Sequence, residues 1–497
     1  MADHHAVHRP LSPELDEEEN GEESRFGESF HRLLVDDSDL GVYPSIKSSY
    51  EMFALTISLA GLQSAYCSQF ADGTDFLLDI GIRPAVIAFV WMIPPLCGAT
   101  LQPLFGILSD KLKEKVGRRE PFVLIGGVGL LLALLTQAWN STITNILDRS
   151  CEGTWPACPT KIFVCIFAVV LLYASAQAVQ VGTRARMVDE CHVTQQLDVN
   201  TWASRVISLT SVLYYILSYE LPTLSTIELR MQELALISAV IIVGAISIFC
   251  ITGFRAHVAP RALPAKRQLG HKSYIQQLKD TITRRMARIL AVQFLSSFAW
   301  FPYLFYISRF ITEKSHSKGN TTERLGPLAL FLQSVVHLTT SLALPSLVGT
   351  GSTKSATVAF NIPKLEHIQI WRLSQALYSA CVAGILLTNS VDIMLALAAL
   401  TGFCWAIMQI IPYTMLTDEF LLRSDGGTKI SSNSGLFLGI NNLCMTLPQI
   451  IAGITCTTIF STVSESHSSS LANGMTRSLA AGSLVSLLAT VVSFCIL

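Results

Sequence analysis

Two sets of polar residues interrupt an otherwise apolar chain at spacings that suit them to chemistry. The first is charged. Asp110 closes one long apolar stretch and Gly117-Arg118-Arg119 opens the next, which sets guanidinium forks beside a carboxylate and two helix ends. Such groups can part and rejoin without crossing lipid, so Asp110, Arg118 and Arg119 form a candidate gate between moving helices. The second set lies inside the apolar stretches. Gln63, Tyr66 and Gln69 recur at i, i+3 and i+6, while Gln177, Gln180 and Arg184 recur at i, i+3 and i+7, each along one helical stripe. Amides, a guanidinium and aromatic rings suit a hydroxyl-rich ring compound, because each hydroxyl buried without a partner costs about 1–3 kcal/mol and the C–H faces need flat platforms. Trp300, Tyr306, Trp405 and Asn442 offer the same groups from the second half of the chain. For the first glutamine stripe the competing reading is hydrogen bonding between helices without a ligand, and for the aromatics it is core packing or an interfacial belt. Arg184 carries the most weight. A guanidinium in an apolar stretch is costly and usually faces a cavity or a carboxylate; the alternative is that it snorkels to the surface beside Arg186 and Asp189.

The elements that must position these residues are membrane spans. Apolar residues make up 51% of the 497, charged residues 14%, and mean hydropathy is +0.47, a balance foreign to soluble proteins of this length. About twelve stretches of about 20 apolar residues can be marked out, near 51–71, 84–108, 121–139, 161–182, 202–219, 232–253, 288–308, 327–349, 368–388, 392–415, 435–456 and 475–497. An even number places both termini on one side. Lys111, Lys113, Lys115, Arg118 and Arg119 follow the second stretch, and a long basic connection from Arg255 to Arg288 follows the sixth. Both loops are therefore expected in the cytosol, and both termini with them. The sequons at Asn140 and Asn320 then fall on the opposite side, where glycosylation occurs. Cys151 and Cys158 lie there too, in an oxidising setting that favours a short disulfide over two thiols; the other cysteines read as small apolar fillers.

Residues 1–50 are polar and acidic and are expected to be a disordered cytosolic tail, its His4, His5, His8 and His31 solvated. No apolar leader precedes the first span, which must itself serve as the targeting signal. An amino-terminal six-helix half then spans 51–253, a basic cytosolic linker 254–287 and a carboxy-terminal six-helix half 288–497. The linker reads as positive-inside charge, with a helix binding lipid headgroups as the sharper option. Metal-ligand spacing, a phosphate-cradling glycine loop and a nucleophile–base pair are all missing, so neither an enzyme, a cofactor site nor a nucleic-acid partner is expected.

Motifs in order along the spans carry a resemblance. They are Gly61-Leu-Gln63; Trp91 through Gly98 to Gln102-Pro103, then Ser109-Asp110 and Gly117-Arg118-Arg119; Gly182-Thr-Arg184 with Asp189; Gln195-Gln196 with Asn200-Thr-Trp202 and Arg205; Ala299-Trp300-Phe301-Pro302-Tyr303 to Tyr306; and Gly435 to Gly439 with Asn442 and Pro448-Gln449. The chain resembles the sucrose/proton symporters of the glycoside-pentoside-hexuronide branch of the major facilitator superfamily, particularly their fungal members. The resemblance implies an all-α membrane protein of the major facilitator fold, with 12 transmembrane helices in two halves and substrate held near the midplane. It also implies import of sucrose, maltose or a related α-glucoside, the proton as coupling ion, and a role for Arg184 in substrate or proton coupling.

The departures bear on that coupling. Plant relatives carry an Asp eleven residues before the motif Arg, where this chain has Tyr173. The family's Gly-Asn pair in span five is replaced around Ser211–Tyr214, and a Pro in span one becomes Asp75. Two carboxylates of plant relatives after Tyr306 correspond to Ile307 and Arg309, while Glu313 looks like the Glu of fungal relatives. Tyrosine, with an ordinary pKa near 10, is poorly matched to carrying a proton at ambient pH. Asp72 and Asp75 are the carboxylates that could take over, unless they form a solvated end of span one. An uncoupled facilitator and a sugar sensor on the same fold stay open. The plasma membrane is the expected location, with the vacuolar membrane as the alternative. The topology has a direct check: an epitope tag at residue 10 should be hidden from antibody on intact cells and exposed by permeabilisation.

Overall fold

Helices begin and end here where local chemistry stops or caps them. In the computed structural model, which describes residues 46–111, 119–151, 158–220, 227–256, 282–316, 325–347, 366–422, 434–463 and 470–496, the first element is α1 (Ser49–Thr56). Its amino end is a capping box: Ser48 accepts from the Glu51 backbone while Glu51 accepts from the Ser48 N–H. α2 (Ser58–Ser68) follows, then a π-helical turn over Gln69–Gly73, then α3 (Thr74–Asp79). This helical run passes well beyond the expected end of span one at 71, so Asp72 and Asp75 lie within it, Asp72 buried and Asp75 about a third exposed. α3 stops at Gly81, whose φ of 92° suits glycine. The Gly81 N–H meets the Leu78 carbonyl at 2.9 Å and the Ile82 N–H meets that of Leu77 at 3.1 Å, the paired bonds of a Schellman motif.

Next come α4 (Pro84–Val90), α5 (Ile93–Lys111), α6 (Glu120–Ala138), the short α7 (Asn140–Leu147), α8 (Pro159–Glu190), α9 (Gln196–Glu220) and α10 (Ile227–Ala256). The second set is α11 (Arg284–His316), α12 (Leu325–Leu347), α13 (His367–Leu387), α14 (Val391–Leu422), α15 (Ser434–Thr462) and α16 (Ser470–Ile496). Proline opens α4, α6 and α8 within the first two positions, where no N–H is missed. Pro103, Pro302, Pro345, Pro412 and Pro448 sit inside helices, as spans tolerate when neighbours satisfy the freed carbonyls. Among the described residues, 10 helical stretches are long and apolar enough to cross a membrane. The run from α1 to α3 and the 25-residue α9 are consistent with the remaining two of twelve. Large apolar side chains such as Phe163, Val240, Leu387 and Leu484 point outward, as lipid requires. The described residues form an all-α bundle.

Packing repeats with an offset of six spans. α2 packs on α10 and α9, α6 on α8 and α10, and α5 on α8; correspondingly α11 packs on α16 and α15, α13 on α14 and α16, and α12 on α14. Two main seams join the sets, α5 and α4 with α15, and α9 with α12 and α14. At the first, Asn442 Nδ2 donates to the Gly98 carbonyl at 2.8 Å; at the second, Ser204 Oγ and His337 Nε2 are 2.8 Å apart.

Close crossings depend on small residues. A Cβ on Gly402 of α14 would collide with the Gln333 carbonyl of α12 and lie 2.9 Å from the His337 nitrogen. Backbone cannot swing aside as a side chain can. Gly402→Val should therefore destabilise the fold by about 1–3 kcal/mol, seen as a lower thermal transition in detergent, while a substitution at Gly244, where nothing lies within 4 Å, should leave it unmoved.

Candidate substrate and coupling site

Arg184 stands near the carboxy end of α8, buried between helices. Its Nη1 donates to Asn200 Oδ1 on α9 at 3.0 Å, and its guanidinium carbon lies 4.5 Å from the centre of the Tyr413 ring on α14. Nε has no hydrogen-bond partner. Arg184 thus bridges the two sets of helices with an amide and a ring, and among the described residues no carboxylate pairs with it. Snorkelling towards Asp189 does not occur: Asp189 is held by Arg119 at 2.9 Å, and Arg186 pairs with Glu190 at 2.9 Å and Glu120 at 3.6 Å. The side chains of Gln180 and Gln177, one and two turns back on the same stripe, find no hydrogen-bond partner among the described residues. α8 therefore presents a cation and two amides with unused donors.

The other glutamine stripe disperses. Gln63 donates to Ser211 on α9 at 2.9 Å, Tyr66 stacks on Tyr173 of α8 with centroids 5.9 Å apart, and Gln69 pairs with Gln137 of α6 through two amide bonds of 2.9 and 3.3 Å. Gln69 and Gln137 are fully buried and mutually satisfied, which makes Gln69 a helix-joining residue and not a free ligand. The α-helix itself is the physical reason, since six residues at about 100° each leave Gln69 about a third of a turn away from Gln63. Tyr173 keeps its hydroxyl buried without a partner.

In the second set, Trp300 meets Tyr378 at 4.2 Å, Trp405 at 4.7 Å and Tyr303 at 5.3 Å between centroids. The Tyr303 hydroxyl is tied to Thr401 at 2.7 Å and that of Tyr378 to the Ala299 carbonyl at 2.9 Å, which fixes the cluster around half-buried Trp405. Tyr306 stands apart, against Phe460, its hydroxyl unpartnered. Asn442 serves the α5–α15 seam.

Charged groups gather at two ends. At one, Arg119 binds Asp189 and also Ser109, while Lys47 reaches Glu190 at 3.7 Å. Of the three candidate gate residues only Arg119 is described with its side chain, and Asp189 and Ser109 are its partners; Arg118 and the side chain of Asp110 lie outside the described residues. At the other end, Asp72 pairs with Arg230 at 3.1 Å, and Arg309 joins Asp75 at 3.1 Å and Glu313 at 2.9 Å. Reading the spans alone missed Arg230, Tyr413 and Tyr378. For Arg230 a signal was present, because a cation beside the end of a span expected to face outward runs against the positive-inside pattern.

The loop beyond α7 joins Cys151 to Cys158 in a disulfide with Cα atoms 5.7 Å apart. Hydrogen bonds from the hydroxyls of Ser150 and Thr160 hold Asp148 beside it below the usual carboxylate range. Asn140 overturns an expectation. It is fully buried, with Nδ2 donating to the Lys161 carbonyl at 3.2 Å and Oδ1 accepting from Thr144 at 3.1 Å, so the fold leaves no room for a glycan on it. Asn320 lies outside the described residues.

Residues 52–441 match the model of the family described as MFS/sugar transport protein. The chain belongs to that family. Among its relatives, the general alpha-glucoside permease of Schizosaccharomyces pombe is 25% identical, over 85% of this chain and 88% of the permease. The sucrose transport protein SUC4 of Arabidopsis thaliana is 23% identical over 83% and 84% of the two chains. Human solute carrier family 45 member 3 is 24% identical over 73% and 69%. Of solved structures, the human organic anion transporter MFSD10 superposes with a TM-score of 0.57 at 12% identity, over 90% of this chain and all 100% of that one. A bacterial ferroportin homologue in an outward-facing state gives 0.57 at 15% identity, over 89% and 98%. Both likenesses concern the fold. In this sugar transport family member, Asp189→Asn should slow exchange of labelled sugar across proteoliposomes several-fold more than it weakens equilibrium binding, because the latch sits apart from Arg184.

Proposed function

We propose that this protein imports sucrose, maltose or a related α-glucoside together with protons by alternating access, with both termini in the cytosol and the plasma membrane as its site, the vacuolar membrane being the second placement. The observation that carries the reading is the unpaired donor set on α8: Arg184 Nε, Gln177 and Gln180 are free to meet hydroxyls, while Arg184 already touches α14 in the opposite set of helices. A ligand there is in contact with both halves, as alternating access requires. The aromatic cluster of Trp300 and Trp405 supplies a platform for a sugar C–H face. The names of the alpha-glucoside permease and the sucrose transporter point to the substrate class.

Tyr173, with its buried and unpartnered hydroxyl, favours one second reading, an uncoupled facilitator, since the carboxylate of plant relatives is missing there. Proteoliposomes with an imposed proton gradient decide between them when challenged with labelled sucrose and maltose and a competing panel of mono- and disaccharides. Uncoupler-sensitive accumulation is the expected result; uptake that only equilibrates supports the facilitator. Arg184→Gln should lower sugar uptake at least tenfold, and Arg184→Lys should not restore it, because a point charge cannot replace a fork of donors. Unaltered uptake by Arg184→Gln would show that the substrate binds elsewhere.

A further inference from the structure

The π-turn of span one carries a carboxylate that is only half used. Asp72 is 2% exposed; Oδ1 meets Arg230 Nη2 at 3.1 Å, whereas Oδ2 is buried with no hydrogen-bond partner. Two further buried polar atoms close by are also unpartnered, the Tyr214 hydroxyl on α9 and Arg230 Nε on α10. Arg230 is steered by Ser218 of α9, to which Nη2 donates at 2.8 Å. A polar group left without a partner in this setting costs about 1–3 kcal/mol, and three in one place mark a site that acquires something during function. π-Turns are themselves frequent at functional positions.

The charges around it form a chain. The Arg230 charge acts on Asp75 as well as on Asp72, Asp75 pairs with Arg309, and Arg309 pairs with Glu313. Three carboxylates thus face two guanidiniums, leaving one negative charge in excess. The other elements packed on the π-turn add no compensating charge: α12 contains only His337, engaged by Ser204 at the far seam, and α6 presents Gln137. Glu233, one turn beyond Arg230 on α10, is a further acid with an unpartnered oxygen. Asp75, Arg309 and Glu313 are each about a third exposed, whereas the Asp72 side chain is 3% exposed, so the excess charge is least tolerable at Asp72.

The same residues close this end of the bundle. Thr74 Oγ1 donates to the Phe305 carbonyl at 3.0 Å, Ser308 Oγ to that of Ala71 at 3.3 Å, and Arg309 of α11 holds Asp75 of α3. We infer that Asp72 is the proton-binding group of this transporter, and that its protonation loosens the clasp between α3 and α11. When the carboxylate takes up one proton on Oδ2, the chain of Asp72, Asp75 and Glu313 with Arg230 and Arg309 becomes neutral. Arg230, no longer held by Asp72, turns its charge on Asp75 and competes with Arg309. Reforming the clasp then demands that the proton leave, and with this end shut it can leave only towards the other. A carboxylate in span one thereby does the work of the one that Tyr173 replaces in span four.

The inference rests on the symport reading, and one preparation separates their failures. Proteoliposomes of the full chain, lightly buffered and carrying a pH-sensitive dye, report proton movement when sucrose or maltose is added, while counterflow of labelled sugar reports transport alone. In the parent, sugar-linked proton flux is expected. Asp72→Asn should abolish that flux and flatten the pH dependence of uptake, with at least a tenfold loss of accumulation and slower but measurable counterflow. Asp72→Glu should restore part of the proton flux, and Glu233→Gln should retain it. Flux that persists in Asp72→Asn, or that is lost in Glu233→Gln and kept in Asp72→Asn, overturns the assignment and leaves symport standing. Counterflow without proton flux in the parent overturns both symport and the assignment.

Discussion

A charge in hydrocarbon has to be answered by another group within reach, and breaking a buried pair by removing one partner costs about 3–5 kcal/mol. Much of this bundle is arranged by that demand. Arg119, Asp189, Arg186, Glu120, Glu190 and Lys47 answer one another at one end; Asp72, Arg230, Asp75, Arg309 and Glu313 do so at the other. Between them Arg184 is answered by Asn200 and Tyr413, neither of which carries an opposing charge. Two clusters that can be made and unmade flank a cation whose demand is unmet.

The clusters differ in what they join. Arg119 and Asp189 link α6 to α8, both in the first set of helices, so the latch stiffens one set from within. Asp75 and Arg309 link α3 to α11 and therefore cross between sets. A break in the first alters how helices of one set lie together, whereas a break in the second parts the two sets directly. Ser109, bound to Arg119, extends the latch to α5, and α5 runs along the seam with α15. The latch can thus reach the opposite set through that seam, and through α8 by way of Arg184 and Tyr413.

Most of the fold was legible because a bilayer imposes one length and one composition on every span. Ten of the expected spans coincide with single helices, α6 and α8 to α16, with differences confined to their ends; α8, α11 and α14 continue past the apolar slab as ordinary helix because nothing in their sequence stops them. The site was legible in kind and less so in place. Arg184 declared itself by its cost, and Trp300 and Trp405 did meet. Gln69 did not join Gln63, since six residues of α-helix leave the two side chains about a third of a turn apart. Partners on other helices, such as Tyr413 and Gln137, depend on rotation about each helix axis, which a linear sequence does not record. Asn140 shows the same limit: its sequon was visible, its burial under Lys161 was not.

The π-turn also affects how this chain should be lined up with its relatives. It accommodates one residue more than the α-turn it replaces, so a homologue whose span one is regular α-helix lacks a counterpart for one of the five residues. Aligned without a gap, every position on one side of the turn is matched to a residue about 100° away around the helix axis. A single-residue gap within 69–73 restores the correspondence of side-chain directions, and with it the question of which residue elsewhere in the family stands where Asp72 stands here.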